Sequence, residues 1–296
     1  MAPEVHNLIE VAVEAEWRVD QERLFQVLDM MTAVDIYVGL SFNPETGQCV
    51  LKGPDEHYLE YIIGRLQRDF RIALRAGSPQ VAYRETLNRA CEIDYTHKRQ
   101  GNGSSEFARI RIKFEPSPRG SGYSFENRVV GDAVPREFIP GVEKGLDAAR
   151  QNGLLAGFPV IDFKAILLDG AYHDVDSSVA AFESAAKVAF GEGVRKANCV
   201  LLEPIMKVDI AVPFGFDEKI IHDLDSRRVE HRGLETRARF EVIHALLPLA
   251  NMFGYANTLN ELSGRRAVYS MVFDHYAPIP EWPDDDSFRP AVGMRA

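Results

Sequence analysis

The chain is predicted to be an α+β protein in which two βαββαβ units flank a longer α/β unit that ends in an exposed turn. Three observations carry this. Strand-like alternation and helical apolar spacing follow one another as strand, helix, strand, strand, helix, strand near the N-terminus, and the same order returns in the last third. Between them, a strand over 160–168 runs into Asp169-Gly170-Ala171-Tyr172-His173-Asp174-Val175-Asp176-Ser177-Ser178, after which Phe182, Ala185, Ala186, Ala189 and Phe190 fall on one helical face. Finally, 296 residues with 46% hydrophobic and 26% charged side chains suit two or three soluble domains.

In the first unit, residues 1–78, Ile9, Val11, Val13 and Ala15 alternate with Glu10, Glu14 and Glu16, as a strand with one buried face requires. Leu24, Leu28 and Met31 recur at helical spacing. Residues 36–42 and 49–51 form a hairpin around Asn43-Pro44-Glu45-Thr46-Gly47, a turn-forming string. Leu59, Ile62, Ile63, Leu66 and Phe70 mark a second helix, and Phe70, Ile72 and Leu74 alternate into a closing strand. This βαββαβ order is the ferredoxin-like pattern.

The middle unit, residues 79–199, opens with a long strand over 81–95, breaks at Gln100-Gly101-Asn102-Gly103-Ser104-Ser105 and returns as a strand over 107–114. A helix is predicted from Pro135, a favoured first helical position, with Phe138, Val142, Leu146 and Ala149 along one side and Gly153 as its stop. The strand, the His173 turn and the last helix follow, with Asp176, Ser177 and Ser178 as good N-cap choices.

The third unit, residues 200–277, places a strand over 206–211, a helix carrying Ile220, Ile221 and Leu224, and two strands across 229–247. A helix over 250–262 and a strand over 267–273 complete a second ferredoxin-like unit. Pro278, Pro280, Pro283 and Pro290 make the tail, 278–296, too proline-rich for a helix, so it is expected to be extended or disordered.

Composition excludes several classes. No window approaches a membrane span, and Met1-Ala2-Pro3-Glu4-Val5-His6 lacks the basic segment and apolar core of a secretory signal. Cys49, Cys91 and Cys199 are far apart and odd in number, which speaks for reduced thiols rather than a disulfide framework or a metal site. Nothing matches Gly-x-x-x-x-Gly-Lys-Ser/Thr; the nearest string, Gly141-Val142-Glu143-Lys144-Gly145, sits inside a helical pattern. The expectation is therefore no nucleotide site, no catalytic residue, no metal and no cofactor in this chain.

A net charge of -10 argues against a general nucleic-acid coat protein. Basic residues nevertheless gather at His97-Lys98-Arg99, at Arg109, Arg111 and Lys113, at Arg227, Arg228, Arg232, Arg237 and Arg239, and at Arg265-Arg266. An acidic body with local basic edges suits docking on RNA without indiscriminate sticking.

The strings Val81-Ala82-Tyr83-Arg84-Glu85-Thr86, Glu92-Ile93-Asp94-Tyr95-Thr96-His97-Lys98, Ile139-Pro140-Gly141-Val142-Glu143-Lys144-Gly145, Leu202-Glu203-Pro204-Ile205-Met206-Lys207-Val208, Pro248-Leu249-Ala250-Asn251-Met252-Phe253-Gly254-Tyr255 and Phe273-Asp274-His275-Tyr276, with the His173 turn, are similar to the C-terminal half of the elongation factor G family of translational GTPases. The resemblance extends over residues 8–280. It implies that the three units are the family's third, fourth and fifth domains. The middle one would then be a ribosomal protein S5 domain 2-like α/β domain with a left-handed crossover, against the usual right-handed rule. It also implies that GTP and Mg2+ belong to a GTPase domain outside this chain, and that this chain alone does not hydrolyse GTP.

The function so implied is promotion of tRNA–mRNA translocation on the cytoplasmic ribosome, by a monomer that inserts a tRNA-mimicking domain into the A site. Ribosomal RNA and the tRNA–mRNA duplex would be its partners. Two alternatives stay open: a stand-alone, nucleotide-independent ribosome-binding regulator, and part of a ribosome-recycling paralogue.

Within this reading, Tyr172, His173, Asp174, Val175 and Asp176 would form a decoding-centre tip with Gly101, Asn102, Gly103, Ser104 and Ser105. From the residues alone, His173 reads first as an ordinary exposed loop residue; a general base would need a substrate pocket, and a metal ligand is poorly supported because only Asp174 and Asp176 lie close enough in sequence to share a metal. As an RNA reader it would stack on bases or hydrogen-bond to bases and 2′-hydroxyls. The Gly101 loop is an ordinary hairpin turn or a close approach to an RNA backbone. Where the family usually has Thr-Gly-Gly-Ser-Gly-Gln, this chain loses a glycine at Ser105 and gains a charge at Glu106.

Arg227, Arg228, Arg232 and Arg265 would contact ribosomal RNA phosphates; the plainer role for Arg227 and Arg228 is to complement a helix C-terminus. A further departure lies in Lys52-Gly53-Pro54-Asp55-Glu56-His57-Tyr58-Leu59-Glu60. There Asp55 replaces a glycine, His57 a leucine and Tyr58 a histidine of the family pattern, at a place expected to couple to the GTPase domain.

Overall fold

The computed structural model describes residues 7–43, 48–101, 104–229, 231–237 and 240–280. The chain forms two compact units, one built from the residues up to Ala82 with Glu203–Ala277, the other from Tyr83–Leu202.

The first of these contains both ferredoxin-like sheets. Strand β1 (Ile9–Ala15), helix α1 (Gln21–Val34), β2 (Gly39–Asn43), β3 (Gln48–Gly53), α2 (Glu56–Arg68) and β4 (Leu74–Ala76) give the order β2-β3-β1-β4, with the short β5 (Gln80–Val81) added beside β1. Val11, Val13, Leu24, Leu28, Met31, Leu51, Leu59, Ile62 and Leu66 make its core, as their spacing requires. The closing strand begins at Leu74 rather than at Phe70. Arg71 takes φ 52, a left-handed turn that ends the α2 connection and lets Ile72 drop into the core. The hairpin turn 44–47 lies outside the described residues.

In the same unit, the second sheet uses β11 (Val200–Pro213), α5 (Asp217–Ser226), β12 (His231–Arg237), β13 (Phe240–Pro248), α6 (Tyr255–Ser263) and β14 (Val268–Pro278) in the order β12-β13-β11-β14. Where one helix was expected over 250–262, a 3-10 turn, Leu249–Met252, is followed by Gly254 in the left-handed region at φ 67, and only then by α6. Gly254 has no side chain to clash there, so the chain redirects cheaply.

The other unit carries β6 (Arg84–Thr86), β7 (Cys91–Gly101), β8 (Ser104–Pro116), β9 (Tyr123–Asn127), α3 (Ile139–Arg150), β10 (Phe163–Ala171) and α4 (Val179–Lys196). Its sheet runs β7-β8-β10-β9, antiparallel except for the parallel β9–β10 pair joined through α3. Both helices cover one face, over a core that includes Ile110, Ile112, Phe114, Leu146, Phe163, Phe182 and Phe190.

Two expectations for this unit are corrected, and one strand was not expected. The single strand over 81–95 is three strands, because its parts join different partners: β5 pairs β1, β6 pairs the start of β11 with Glu85 opposite Leu201, and β7 pairs β8. Strand β9, with Tyr123 and Phe125 packed on the core, was not read from the sequence; five residues of alternation between glycines are a weak signal. Helix α3 starts at Ile139 with Pro140 in its first turn, four residues after Pro135, which instead accepts from Phe138 N–H in a separate turn. The string Gly141-Val142-Glu143-Lys144-Gly145 is a packing device. A Cβ on Gly141 would sit 2.4 Å from the Val179 carbonyl, and one on Gly145 2.4 Å from that of Glu183, so α3 and α4 touch backbone to backbone.

Candidate nucleic-acid interface

The β7–β8 hairpin and the turn after β10 lie at the same end of the middle sheet, joined through Phe107. β7 and β8 pair from Cys91↔Phe114 out to Gly101↔Ser104, so the hairpin runs past Arg109, where the pairing of β8 with β10 ends at Ala171. Asn102 and Gly103 lie outside the described residues. Ser105 stands opposite Gln100 and is exposed. At the base of this hairpin, His97 Nε2 lies 3.0 Å from Glu106 Oε2 and Lys98 Nζ sits 5.8 Å from the Phe107 ring centroid. The charge gained at Glu106 thus faces His97.

The other loop follows β10. Tyr172, His173, Asp174 and Val175 are exposed, Val175 by 83%, and Asp176 is half-buried. Tyr172 packs its ring 6.2 Å from that of Phe138. His173 Nδ1 is 3.1 Å from Asp176 Oδ2 and 3.4 Å from the Val175 amide, leaving Nε2 toward solvent as the free ring nitrogen among the contacts described. The turn closes through Ser177 N–H donating to the His173 carbonyl at 3.0 Å. It is also tied to the hairpin: Phe107 N–H donates to the Asp176 carbonyl at 2.9 Å, and the Ser177 hydroxyl donates to the Phe107 carbonyl at 2.7 Å while accepting from His173 N–H at 2.9 Å. Ser178, not Asp176 or Ser177, caps α4, its hydroxyl accepting from Ala181 N–H at 3.1 Å.

Behind the tip, the sheet face away from the helices is a charge ladder. Arg109 bonds Asp94 (2.8 Å from Nε to Oδ1), Arg111 approaches Glu92, Lys113 pairs with Glu115, and Glu126 takes both Arg128 and Lys164. The Arg109 hydrogen bond holds the Asp94 carboxyl below its usual range, and Arg128 with Lys164 hold that of Glu126 down to about 2. The basic string 109–113 is therefore largely matched by carboxylates.

The arginines proposed for RNA phosphate have different surroundings. Arg227 donates to Asp223 at 2.7 Å and to the Asn251 carbonyl at 2.6 Å, and its guanidinium lies 4.9 Å over the Tyr255 ring, so it closes α5 and binds it to α6. Arg228, at φ 59, reaches Glu203, which is only 3% exposed, at 2.7 Å. Arg232 pairs with Ala245 in β12, its side chain lying outside the described residues. Arg265 is exposed in a left-handed turn after α6, and beside it Arg266 stacks 4.4 Å from the Phe216 ring.

Sequence reasoning overlooked Glu85. Its fully buried carboxylate accepts from four successive amides, those of Leu155, Ala156, Gly157 and Phe158, at 2.9–3.1 Å. A charged residue between buried Tyr83 and Leu87 was the only signal. At the departure noted in the first unit, Asp55 caps α2 by accepting from Tyr58 N–H at 2.8 Å, and the Tyr58 hydroxyl donates to Asp35. Burial raises the Tyr58 hydroxyl above its ordinary range, with the Asp35 bond adding to it. The three cysteines are free, and burial pushes the Cys199 thiol up to about 12. No group of three potential metal ligands comes together among the described residues, and no described helix is long and apolar enough to cross a membrane.

Two ferredoxin-like sheets and an α/β domain with a projecting two-loop tip form the domain plan of a translation elongation factor's C-terminal part. The chain belongs to the elongation factor G family: the family models for elongation factor G domain III, domain IV and C-terminus match residues 5–78, 79–198 and 200–287. It is 50% identical over 274 residues to elongation factor G of Paracoccus denitrificans, and equally to that of Cereibacter sphaeroides, in both cases covering 93% of this chain. The chain spans 39% of the length of those relatives. A crystal structure of a Thermus thermophilus protein superposes with a TM-score of 0.74 at 34% identity, over 94% of this chain and 42% of that one.

Proposed function

We propose that this chain is the ribosome-engaging part of an elongation factor G, which promotes tRNA–mRNA translocation by placing the middle domain in the A site. The observation that supports this best is the tip itself: the turn after β10 is hydrogen-bonded to β8 of the projecting hairpin, from a distant part of the sequence, and holds His173 exposed. Histidine Nε2 can donate to or accept from bases and 2′-hydroxyls, and the ring can stack. Domain boundaries near 78, 199 and 277 accompany this reading. GTP and Mg2+ would act in a GTPase domain outside the chain, in the cytoplasm, and the part described here would work as a monomer on ribosomal RNA and the tRNA–mRNA duplex.

Among the candidate arginines whose side chains are described, Arg265 is the one whose surroundings favour a phosphate contact, whereas Arg227 and Arg228 serve the fold. Co-sedimentation with ribosomes across a salt series tests the reading. Saturable binding that weakens with salt and with Arg265→Ala supports it; no binding at low salt by the intact chain would refute autonomous docking. In a complete factor, His173→Ala should slow single-turnover translocation, and an unchanged rate would remove the tip's role.

A second reading, a ribosome-binding regulator that acts without nucleotide, is favoured by one observation. The position that holds a histidine in the family pattern is Tyr58, and its hydroxyl is committed to Asp35. Translocation assays with and without GTP would separate the two, and ribosome-splitting assays would reveal a recycling role.

A further inference from the structure

We infer that Ser177 is a positioning residue that fixes the His173 turn against β8 at the base of the hairpin; this rests on the tip being the RNA-facing part of the molecule. Its hydroxyl has one proton to give and lone pairs to accept. The proton goes to the Phe107 carbonyl, at the base of the β7–β8 hairpin, and a lone pair takes the His173 amide, across the turn that presents the imidazole. One partner lies in the turn after β10 and the other in β8, separated by 66 residues of sequence, so no local turn preference can hold them together.

The surrounding geometry assigns this work to the hydroxyl. Phe107 N–H donates to the Asp176 carbonyl and Ser177 N–H to the His173 carbonyl, so two backbone bonds set the approximate path. The His173 amide has only the Ser177 hydroxyl as its described acceptor. Capping of α4 falls to the neighbouring Ser178, which frees Ser177 from the role its position in sequence would suggest. The imidazole itself is exposed and, among the described residues, held through Asp176 and the Val175 amide, both in the same five-residue turn. Fixing that turn against the hairpin reduces the conformational freedom that binding to RNA would otherwise have to remove.

The test uses the whole chain with Ser177→Ala and Ser177→Thr. Amide exchange of the free protein, read at His173 and Phe107, should rise about tenfold in the alanine variant and return toward the parent value with threonine, which keeps a hydroxyl. The thermal midpoint should stay unchanged in both. On ribosomes, the alanine variant should bind about tenfold more weakly while the slope of affinity against salt is preserved, because no phosphate contact is lost. Exchange at His173 that is unaffected by Ser177→Ala overturns the inference, as does a threonine variant that behaves like alanine with the fold intact. Faster exchange with unaltered ribosome affinity overturns the positioning role. Failure of the parent chain to bind ribosomes refutes autonomous docking, while the exchange arm still judges the link between the turn and β8.

Discussion

Two irregular segments flank β10, one organised by a polar side chain from a distant part of the sequence and the other by a hydroxyl of its own turn that reaches a distant strand. Before the strand, residues 154–158 wrap the Glu85 carboxylate, fully buried and accepting four amides. After it, the His173 turn is tied by the Ser177 hydroxyl through two bonds at the surface. A buried carboxylate that satisfies several donors is costly to disturb, whereas a surface hydroxyl can yield. One loop is therefore built as an anchor for the strand, and the other as a fixed but detachable presenting end.

The largest test of this contrast is Glu85→Ala, which leaves four amides without their acceptor; a loss of about 3–5 kcal/mol is expected. Urea unfolding with amide exchange at 155–158 would measure it, and a loss below about 1 kcal/mol would erase the distinction between the loops. Next comes Gly145→Ala. Its Cβ would meet the Glu183 carbonyl at 2.4 Å and Ala186 Cβ at 2.8 Å, so α3, which leads into the Glu85 loop, must move off α4. Thermal unfolding should show a cost of about 1–3 kcal/mol.

Ser178→Ala removes the α4 cap without touching the Ser177 link and should cost about 1 kcal/mol, with exchange at His173 unchanged. A rise there would mean the cap and the tip are one structure. His173→Ala should alter stability by less than about 0.5 kcal/mol and act only on ribosome engagement. The smallest effect belongs to the open sheet face beside both loops. Glu126, with its carboxyl held low by Arg128 and Lys164, supports the fold above the ordinary carboxylate range and loses that support as the pH falls toward about 2. Exchange in β9 between pH 5 and 2 should show it, and Glu126→Gln should abolish the change.

Much of this architecture was legible because it is local. The periods that place Val11 and Val13 in β1, and Leu59, Ile62 and Leu66 on α2, need only the neighbouring residues, and burial follows them. Resemblance supplied the family and the tip loops together. The missed features are non-local. β9 is a strand only because β10 lies beside it, Pro135 begins a turn rather than the helix, and Glu85 is unreadable until the amides of residues 155–158 are brought to it.

The same division holds for the charged residues. The sequence by itself determined that Arg227 and Arg228 stand at a helix end with basic neighbours, and that His173 sits in an exposed turn. Only the tertiary structure decided that Arg227 is spent on Asp223, Asn251 and Tyr255, that Arg228 neutralises buried Glu203, and that Ser177 joins the turn to β8 while Ser178 caps the helix. A side chain's commitments depend on which unpaired donors, acceptors and charges the fold carries to it, and sequence spacing does not contain that information.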